Sequence, residues 1–399
     1  MQTISLASLK RTLSPTAVEL TALPPLALYI HFPWCVQKCP YCDFNSHTQK
    51  GGLPEGEYIA ALLADLESCL PSVWGRPVST IFMGGGTPSL FSAAAIDTLL
   101  AGIRARIKLL PDAEITLEAN PGTFEADKFA GYRAAGVNRL SIGIQSFDDA
   151  KLKALGRIHG RDEALAAIEI AHRHFDNFNL DLMYALPEQT LEQALADIEQ
   201  AIALKPTHLS AYHLTLEPNT LFHRYPPALP DDDLAADMQD AIEVRLAAAG
   251  YQHYETSAFA LPGRRARHNV NYWQFGDYLG IGAGAHAKIS FPDRITRQAR
   301  YKQPGEYLAR MAAGSAVQTD ETLTRAQLPF EFMLNLLRLT DGFALNLYTE
   351  RTGLPLPTVL SQVERACSEG LLTREGDWVQ PTEQGRRFLN TLLERFLAD

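Results

Sequence analysis

At 399 residues, the chain is long enough for one barrel-sized domain and a smaller module. Its net charge of −10 argues against a non-specific nucleic-acid-binding protein, because neutralising phosphates requires an excess of Lys and Arg. The first 24 residues contain no apolar stretch of signal-peptide length, and no segment is apolar enough to span a membrane. These features predict a soluble cytoplasmic protein and leave peripheral contact with a membrane open.

Three of the five cysteines lie close together in Cys35-Val-Gln-Lys-Cys39-Pro-Tyr-Cys42. Disulfides explain this clustering poorly, whereas a metal or cluster site in a reducing compartment explains it well. Three thiolates can hold a four-iron, four-sulfur cluster and leave one iron open to a small molecule. A structural zinc ion with His31 or His47 as its fourth ligand is the alternative.

Apolar stretches alternate with helical periods through the first 250 residues. Leu26 to Phe32 is predicted to be a first strand, which leads into the cysteine loop. Five later stretches share its strand pattern: Ser79 to Met83, Glu114 to Ala119, Arg139 to Ile144, Asn179 to Met183 and His208 to Tyr212. Thr190 and Gln193 form a capping box for one of the intervening helices. Six strands alternating with six helices predict an α/β fold, a parallel sheet curled into a partial (β/α)6 barrel.

A different pattern follows the predicted barrel. Asp231-Asp-Asp233 is interpreted as the cap of a helix that runs to Gly250, in preference to a metal site. The stretch from Tyr251 to Ser290 is predicted to be irregular because glycines interrupt it. From about Pro329, amphipathic helices and then a hairpin around Gly376 suggest a mostly helical, winged-helix-like module.

Residues 322–399 contain 8 basic and 10 acidic side chains, so packing or protein contact is a better prediction for this module than DNA binding. The chain is therefore divided into four parts. They are a loose polar lead-in (1–25), the barrel (26–250), an aromatic and glycine-rich extension (251–325) and the C-terminal module (326–399).

Polar or glycine-rich motifs follow the predicted strands, at the edge where parallel barrels keep their active sites. The turn Gly84-Gly85-Gly86-Thr87-Pro88 follows the second strand, and a plain tight turn is its alternative interpretation. Glu118 ends the third strand, where a charged strand end is the alternative. Gln145, Arg157 and Asp181 lie at or soon after other strand ends, and surface polar residues are the alternative for them.

The cysteine loop, with Tyr41 before its last cysteine, resembles the cluster motif of the radical S-adenosylmethionine superfamily. This resemblance implies a [4Fe-4S] cluster on Cys35, Cys39 and Cys42, whose open iron is chelated by the methionyl group of S-adenosylmethionine. In that superfamily, electron transfer then cleaves the sulfonium and gives a 5'-deoxyadenosyl radical. The resemblance also implies that the glycine turn contacts the methionyl amino group and that Glu118 accepts the ribose hydroxyls.

Four further motifs resemble those of one branch of this superfamily, the branch that contains oxygen-independent coproporphyrinogen III oxidase. They are Glu118-Ala-Asn-Pro, Gln145-Ser-Phe, Leu155-Gly-Arg157-Ile-His159 and Asp181-Leu-Met-Tyr-Ala-Leu-Pro187. The similarity runs from about residue 26 to the C-terminus. It implies that the matching residues contact one or other of two S-adenosylmethionine molecules: Tyr29, Gly85, Gly86, Thr87, Glu118, Gln145, Arg157 and Asp181.

The chain departs from the oxidase at three points. Phe44 stands where the oxidase has a fourth cysteine, and the oxidase carries a longer segment before the position of Tyr29. His268-Asn269-Val-Asn-Tyr272-Trp273 resembles a motif typical of the heme chaperones in the same branch. Since imidazole can ligate heme iron and aromatic rings offer flat apolar faces, the resemblance implies that this motif contributes to heme binding.

The identity of the axial heme ligand stays open. His268 is the candidate axial ligand, with a hydrogen-bonded core histidine as the alternative. His286 is a second candidate, and an ordinary loop histidine is the simpler interpretation of it.

The resemblance therefore implies a heme chaperone whose cofactors are a [4Fe-4S] cluster, S-adenosylmethionine and heme. Its partners would be heme and apo-hemoproteins, including membrane respiratory enzymes, and not nucleic acid. The alternatives are a coproporphyrinogen III decarboxylase of the radical type and a zinc-stabilised scaffold. The residues alone leave open whether the chain is an enzyme.

Overall fold

The structure, a computed structural model, describes residues 14–122 and 128–397. In chain order, the strands are β1 Leu26–Phe32, β2 Trp34–Cys35, β3 His47–Thr48, β4 Val78–Gly85, β5 Leu109–Ala119, β6 Arg139–Gln145, β7 Phe178–Tyr184, β8 His208–His213, β9 Gln252–Glu255, β10 Ala258–Ala260, β11 Asp277–Ile281, β12 His286–Phe291, β13 Arg294–Arg300, β14 Val317–Thr322, β15 Phe343–Ala344, β16 Leu372–Glu375 and β17 Trp378–Pro381.

The helices surround the large sheet and build most of the C-terminal part. In chain order, they are α1 Glu55–Cys69, α2 Ala93–Arg106, α3 Phe129–Ala135, α4 Asp149–Ala154, α5 Arg161–His174, α6 Leu191–Ala203, α7 Leu221–Arg224, α8 Asp232–Ala248, α9 Arg267–Trp273, α10 Pro304–Ala312, α11 Leu328–Leu336, α12 Asn346–Thr352, α13 Pro357–Ser368, α14 Glu383–Arg387 and α15 Leu389–Glu394.

Six parallel strands form the centre of the fold. They pair in the order β1, β4, β5, β6, β7 and β8, and every neighbouring pair is parallel. Successive outer helices pack on one another, α1 on α2, α2 on α3, α3 on α5, and α6 on α8. The predicted partial barrel of alternating strands and helices is therefore confirmed, with β5 beginning at Leu109 instead of Glu114.

The helix caps predicted from the sequence are also confirmed. Thr190 and Gln193 make the reciprocal bonds of a capping box at the start of α6. The Asp231 side chain accepts a hydrogen bond from the backbone N–H of Leu234 at 2.8 Å and so caps α8. Among the helices that the structure describes, none is both long and apolar enough to cross a membrane.

The sheet continues beyond the barrel strands on both sides. β11 pairs in parallel with β1 and is followed by β12, β13 and β14, while β10 and β9 extend the sheet beyond β8. The prediction that residues 251–290 are irregular is therefore wrong. Gly280 shows the reason, because a Cβ there would lie 1.8 Å from the carbonyl oxygen of His286, so this glycine permits close strand approach instead of breaking the sheet.

The C-terminal part has its own hydrophobic core, made by helices α11 to α15 and a three-stranded sheet in the order β15, β17, β16. The predicted hairpin around Gly376 is β16 and β17, which pair antiparallel. Phe275 and Ile295 of the sheet extension are buried in this same core. The four-part division of the chain stays a prediction.

The segment before the barrel also packs on the C-terminal core. Val18 is 3% exposed and Leu20 is 7% exposed, and both belong to that core. Their backbone N–H groups donate to the carbonyl oxygens of Asp293 and Pro292. The expected loose lead-in is therefore wrong for this stretch, while residues 1–13 of it lie outside the described residues.

Candidate cofactor site

A cavity of about 360 Å³ opens at the carboxyl ends of the barrel strands. Because parallel strands end at one edge of the sheet, residues far apart in sequence converge there. Ten of the predicted site residues line the cavity: Cys35, Cys39, Cys42, Gly85, Gly86, Thr87, Glu118, Gln145, Arg157 and Asp181.

The three cysteines of the loop are free, half-buried thiols in this cavity. Each sulfur lies near one polar side chain: Cys35 near Thr87 at 3.5 Å, Cys39 near Arg157 at 3.7 Å and Cys42 near Ser46 at 3.8 Å. Burial raises the pKa of the Cys35 and Cys42 thiols, and hydrogen bonds to the sulfurs oppose that rise. In the described part of the chain, no three or more His, Cys, Asp or Glu side chains are grouped to hold a single metal ion.

His31 does not provide a free ligand for the zinc alternative. Its Nε2 lies 2.8 Å from the carbonyl oxygen of Asn45, and its Nδ1 lies 3.0 Å from the hydroxyl of Tyr29. Burial lowers the pKa of His31 to about 4, so the ring is neutral. Tyr29, predicted to contact the cofactor, does not line the cavity and instead supports the cysteine loop through His31.

Asn45 fixes the end of the cysteine loop, a role that the sequence did not reveal. Its Nδ2 donates to the carbonyl oxygens of Ala283 and Lys302, both at 2.9 Å. Gly284 has a φ of +81°, and a Cβ there would lie 2.2 Å from the same nitrogen. The loop between β11 and β12 is thus shaped to hold the cysteine loop.

The glycine turn after β4 has its N–H groups bonded within the protein. Gly85 donates to Glu118 Oε2 at 3.0 Å, Gly86 to Phe32 O at 2.6 Å, and Thr87 to Trp34 O at 2.7 Å. What remains available to a ligand is therefore the acceptor oxygens of the turn, which suit a donor such as an amino group.

Two carboxyl groups face the cavity, Glu118 from β5 and Asp181 from β7, the strands on either side of β6. Burial, and next the charge of Asp181, raise the pKa of Glu118 to about 8, although the N–H of Gly85 opposes this rise. Burial also raises the pKa of Asp181, which accepts hydrogen bonds from Ser141 at 3.0 Å and Asn179 at 2.8 Å. When they are ionised, these two groups favour cationic ligands and hydroxyl donors.

Arg157 joins the cysteine loop to two strand ends. Its Nη2 donates to Asn120 Oδ1 at 2.8 Å and to Gly143 O at 2.9 Å. Asn120 Nδ2 in turn donates to the hydroxyl of Thr87 at 3.0 Å. Gln145 has a φ of +67°, a conformation that costs energy in a non-glycine residue and often marks a functional site.

Further residues of the cavity wall were missed. Asn120, Ser141, Met183, Tyr212, His213 and Glu217 line it together with the predicted set. Most of them lie at or just after strand ends, so their position in the sequence was a usable signal.

Phe44 lies at the cavity and is 61% exposed. No thiol stands at this point of the wall, where the oxidase of the same branch was expected to have one. An apolar ring here cannot donate a proton or bind a metal.

The His268 motif lies at the other end of the barrel strands. It occupies α9, and His268 Nδ1 is 2.9 Å from the hydroxyl of Thr80, near the start of β4. Gly85, at the end of the same strand, lines the cavity. Five residues of a strand span about 16 Å, so the structure does not bring the motif and the cysteines together.

The side chains of the motif are buried or half-buried. His268 is 8% exposed and its ring lies 5.2 Å from that of Phe82. Burial, and next the charge of Arg139, lower the pKa of His268 to about 3, so the imidazole is neutral. Tyr272 packs on Trp273 at 5.0 Å, and Asn269 is half-buried.

Trp273 connects the motif to the C-terminal part. The Arg338 guanidinium lies over its ring at 4.4 Å, and its Nε1 has no hydrogen-bond partner in the described residues. His286, the second candidate ligand, is exposed. It is the first residue of β12, so its interpretation as a loop histidine is wrong.

Comparisons with known proteins identify the family. A model of the radical SAM superfamily matches residues 29–201, and one of the HemN C-terminal domain matches residues 323–388. The heme chaperone HemW of Escherichia coli K12 is 52% identical over 382 residues, which cover 95% of this chain and 100% of that protein. The chain belongs to the HemW family of radical SAM proteins.

One further relative agrees with this assignment, and one solved structure agrees with the fold. The heme chaperone HemW of Haemophilus influenzae is 50% identical over 383 residues, covering 94% of this chain and 99% of that protein. The solved structure of coproporphyrinogen III oxidase (HemN) from Escherichia coli has a TM-score of 0.80, with 24% identity over 99% of this chain and 93% of that one. At this identity the second likeness shows the shared fold alone.

Membership in the radical SAM superfamily implies a [4Fe-4S] cluster and S-adenosylmethionine as cofactors. The cavity fits both groups. It offers three free thiols, a turn whose open groups are acceptors and two carboxyl groups suited to a sulfonium cation and ribose hydroxyls.

Proposed function

We propose that this chain is a heme chaperone that binds heme and passes it to apo-hemoproteins. The observation that carries this conclusion is the 50–52% identity to two heme chaperones over nearly the full length of every chain compared. Conversion of coproporphyrinogen III is the alternative. The exposed ring of Phe44, where that oxidase has a cysteine, disfavours it.

Cys35, Cys39 and Cys42 are proposed to hold the cluster, because their free thiols line one cavity and lie near polar groups that stabilise thiolates. When bound, the cluster supplies a site for one-electron chemistry and for chelation of S-adenosylmethionine. The residues proposed to bind that cofactor are Gly85, Gly86, Thr87, Glu118, Gln145, Arg157 and Asp181. Tyr29 is proposed to support the cysteine loop beside that cofactor through His31.

The His268 motif is proposed to contribute to heme binding. His268 is neutral, and Thr80 fixes its Nδ1, which orients the ring as the second hydrogen bond of a metal-binding histidine usually does. No hydrogen bond occupies its Nε2 in the described part of the chain. Because His268 is 8% exposed, α9 must shift before a porphyrin reaches it.

The receiving proteins are proposed to be apo-hemoproteins such as respiratory enzymes. A cytoplasmic location, with peripheral contact at the membrane when the recipient is a membrane enzyme, accords with this proposal.

A titration with ferric heme tests the motif. His268→Ala combined with Tyr272→Phe should weaken heme binding at least tenfold, on the order of 1.4 kcal/mol or more, because the candidate axial ligand and the hydroxyl of a neighbouring ring are removed. His286→Ala is the matched control, an exposed histidine of the same sheet extension, and should leave the affinity unchanged. Equal affinity of the double variant and the wild-type chain would remove the motif from the heme site.

A further inference from the structure

The interior of the barrel contains a continuous row of buried polar side chains. Asn179 and Asp181 alternate along β7 and therefore face the same side of the sheet, as His208 and Ser210 do on the neighbouring strand β8. Asn179, His208 and Ser210 are all buried, whereas Asp181 reaches the cofactor cavity. Interior positions of small barrels are usually filled by branched apolar residues. A row of polar side chains there is therefore unusual and suggests a functional role.

Asp181, Asn179 and His208 form one chain of hydrogen bonds, which Tyr254 extends, while Ser210 joins it from the side by donating to Asn179 Oδ1 at 3.1 Å. Asn179 Nδ2 lies 2.8 Å from Asp181 Oδ1, and Asn179 Oδ1 lies 2.7 Å from His208 Nδ1. His208 Nε2 lies 2.8 Å from the hydroxyl of Tyr254. The backbone N–H of Ala266 donates to that hydroxyl at 3.3 Å.

Every donor in this chain can be assigned. The Ala266 N–H and the Asn179 Nδ2 can only donate, so the Tyr254 hydroxyl and Asp181 Oδ1 are their acceptors. Burial, and next the charge of Arg139, hold the pKa of His208 well below its usual value, so its ring is neutral and carries one proton. That proton lies on Nδ1 and faces Asn179 Oδ1, which leaves Nε2 to accept the proton of the Tyr254 hydroxyl.

All the bonds therefore point toward Asp181. A chain of hydrogen bonds with one direction polarises along its length, so a change at one end alters the bonds at the other. Arg139 lies beside the chain, almost fully buried, and its Nε has no hydrogen-bond partner in the described residues. Its charge acts on Asp181, His208 and His268 alike.

The far end of the chain holds the start of α9. Ala266 is the residue at the N-terminus of that helix, and no side chain caps it. The next two residues of the helix lead to His268, whose own N–H donates to Glu114 at 3.1 Å. The bond from Ala266 to Tyr254 therefore restrains the helix that must shift for heme to reach His268.

We propose that Asn179, His208 and Tyr254 are positioning residues that link the cofactor cavity to the heme motif, so that S-adenosylmethionine at Asp181 tightens heme binding at α9. This inference rests on the proposed function. Ligand hydroxyl or amino groups that donate to Asp181 compete with Asn179 for its oxygens. The chain then weakens, and the N-terminus of α9 moves at lower cost.

The test is a heme titration of the cluster-loaded chain with and without S-adenosylmethionine. It is carried out anaerobically and without a reductant, so that no electron is supplied to cleave the cofactor. The wild-type chain should bind heme about tenfold more tightly when S-adenosylmethionine is present, a usual size for coupling between two sites. By reciprocity, heme should tighten S-adenosylmethionine binding by the same factor.

Tyr254→Phe removes one hydroxyl and interrupts the chain. This variant should bind heme as tightly without S-adenosylmethionine as the wild-type chain does with it, so the ratio falls to about one. Tyr251→Phe is the matched control, because it removes a buried hydroxyl that donates to Pro206 O at 2.7 Å, outside the chain. It should keep the tenfold ratio.

Asn179→Ala interrupts the chain at its other end. In this variant too, the ratio of heme affinities with and without S-adenosylmethionine should fall to about one. A ratio that persists in Tyr254→Phe or Asn179→Ala would overturn the proposal, as would a wild-type chain that binds heme equally with and without S-adenosylmethionine. Failure of the wild-type chain to bind heme at all would instead overturn the proposed function, and the linkage with it.

Discussion

Cys39 is the loop cysteine beside a fixed positive charge, because the Arg157 guanidinium lies 3.7 Å from its sulfur. Cys39→Ser should abolish the cluster, since two thiols do not replace three. Iron and sulfide analysis after anaerobic reconstitution measures this outcome. Cys367→Ser, which changes a half-buried thiol in α13, should keep the full iron content. Full iron content in Cys39→Ser would refute the ligand assignment.

Glu118 gives the cofactor site a dependence on pH. Its pKa of about 8 leaves it mostly protonated at pH 7 and mostly ionised at pH 9. Only the ionised form accepts both ribose hydroxyls, so the affinity for S-adenosylmethionine should rise about tenfold over that range. The other groups near Glu118 are Tyr29, Asp181 and Tyr212, and burial raises the pKa of Tyr29 so far that it stays neutral.

Glu118→Gln is the control for this prediction, because the α-amino group of the ligand titrates in the same range. The ratio of wild-type affinity to variant affinity should rise about tenfold between pH 7 and pH 9. A ratio that does not change with pH would show that Glu118 does not act as an ionised acceptor.

Residues at strand ends were predictable, whereas residues that fix the site from elsewhere were not. Glu118 and Asp181 follow or end apolar stretches, and the fold necessarily brings such positions together. Asn45 is different, because its partners Ala283 and Lys302 lie 238 and 257 positions away in the chain. No local sequence pattern predicts a contact that exists only after the sheet has formed.

The glycine turn after β4 packs directly against the backbone at the start of the cysteine loop. A Cβ on Gly86 would lie 2.6 Å from the backbone oxygens of both Phe32 and Trp34, and backbone cannot move aside as a side chain can. Gly86→Ala should therefore destabilise the chain by about 1–3 kcal/mol and displace the start of the cysteine loop.

Urea unfolding of the cluster-free chain measures this change in the free energy of unfolding. Gly122→Ala, after β5, is the control, because no atom of residues 14–122 or 128–397 lies within 4 Å of a Cβ there. It should change the stability by less than about 0.5 kcal/mol. Equal stability of the two variants would contradict the close approach at Gly86.

The six barrel strands were predictable because each is a short apolar stretch with a helical period after it. The extension of the sheet was not, because β11 carries Gly280 inside an otherwise apolar strand and β9 and β10 are only four and three residues long. Strand pairing there depends on edges that the barrel strands provide. Glycine marks loops in most sequences, but here it marks the close contact of two strands.

The whole molecule joins two hydrophobic cores through the segment that bears the His268 motif. Phe275 lies two residues after the end of α9 and is buried in the C-terminal core, while His268 contacts Thr80 near the start of the barrel strand β4. Trp273, between them, packs under Arg338. The motif is therefore connected to both parts of the chain, and a shift of α9 acts on both. Val18 and Leu20 strengthen the same junction from the N-terminal side.

Heme binding measured in parallel with coproporphyrinogen conversion tests the central claim most directly. The anaerobically reconstituted chain, given coproporphyrinogen III, S-adenosylmethionine and a reductant, should yield no vinyl product, while the same preparation binds ferric heme. Phe44 in the cavity wall and the kinship with heme chaperones both predict this result. Formation of the vinyl product by a preparation that does not bind heme would contradict the account.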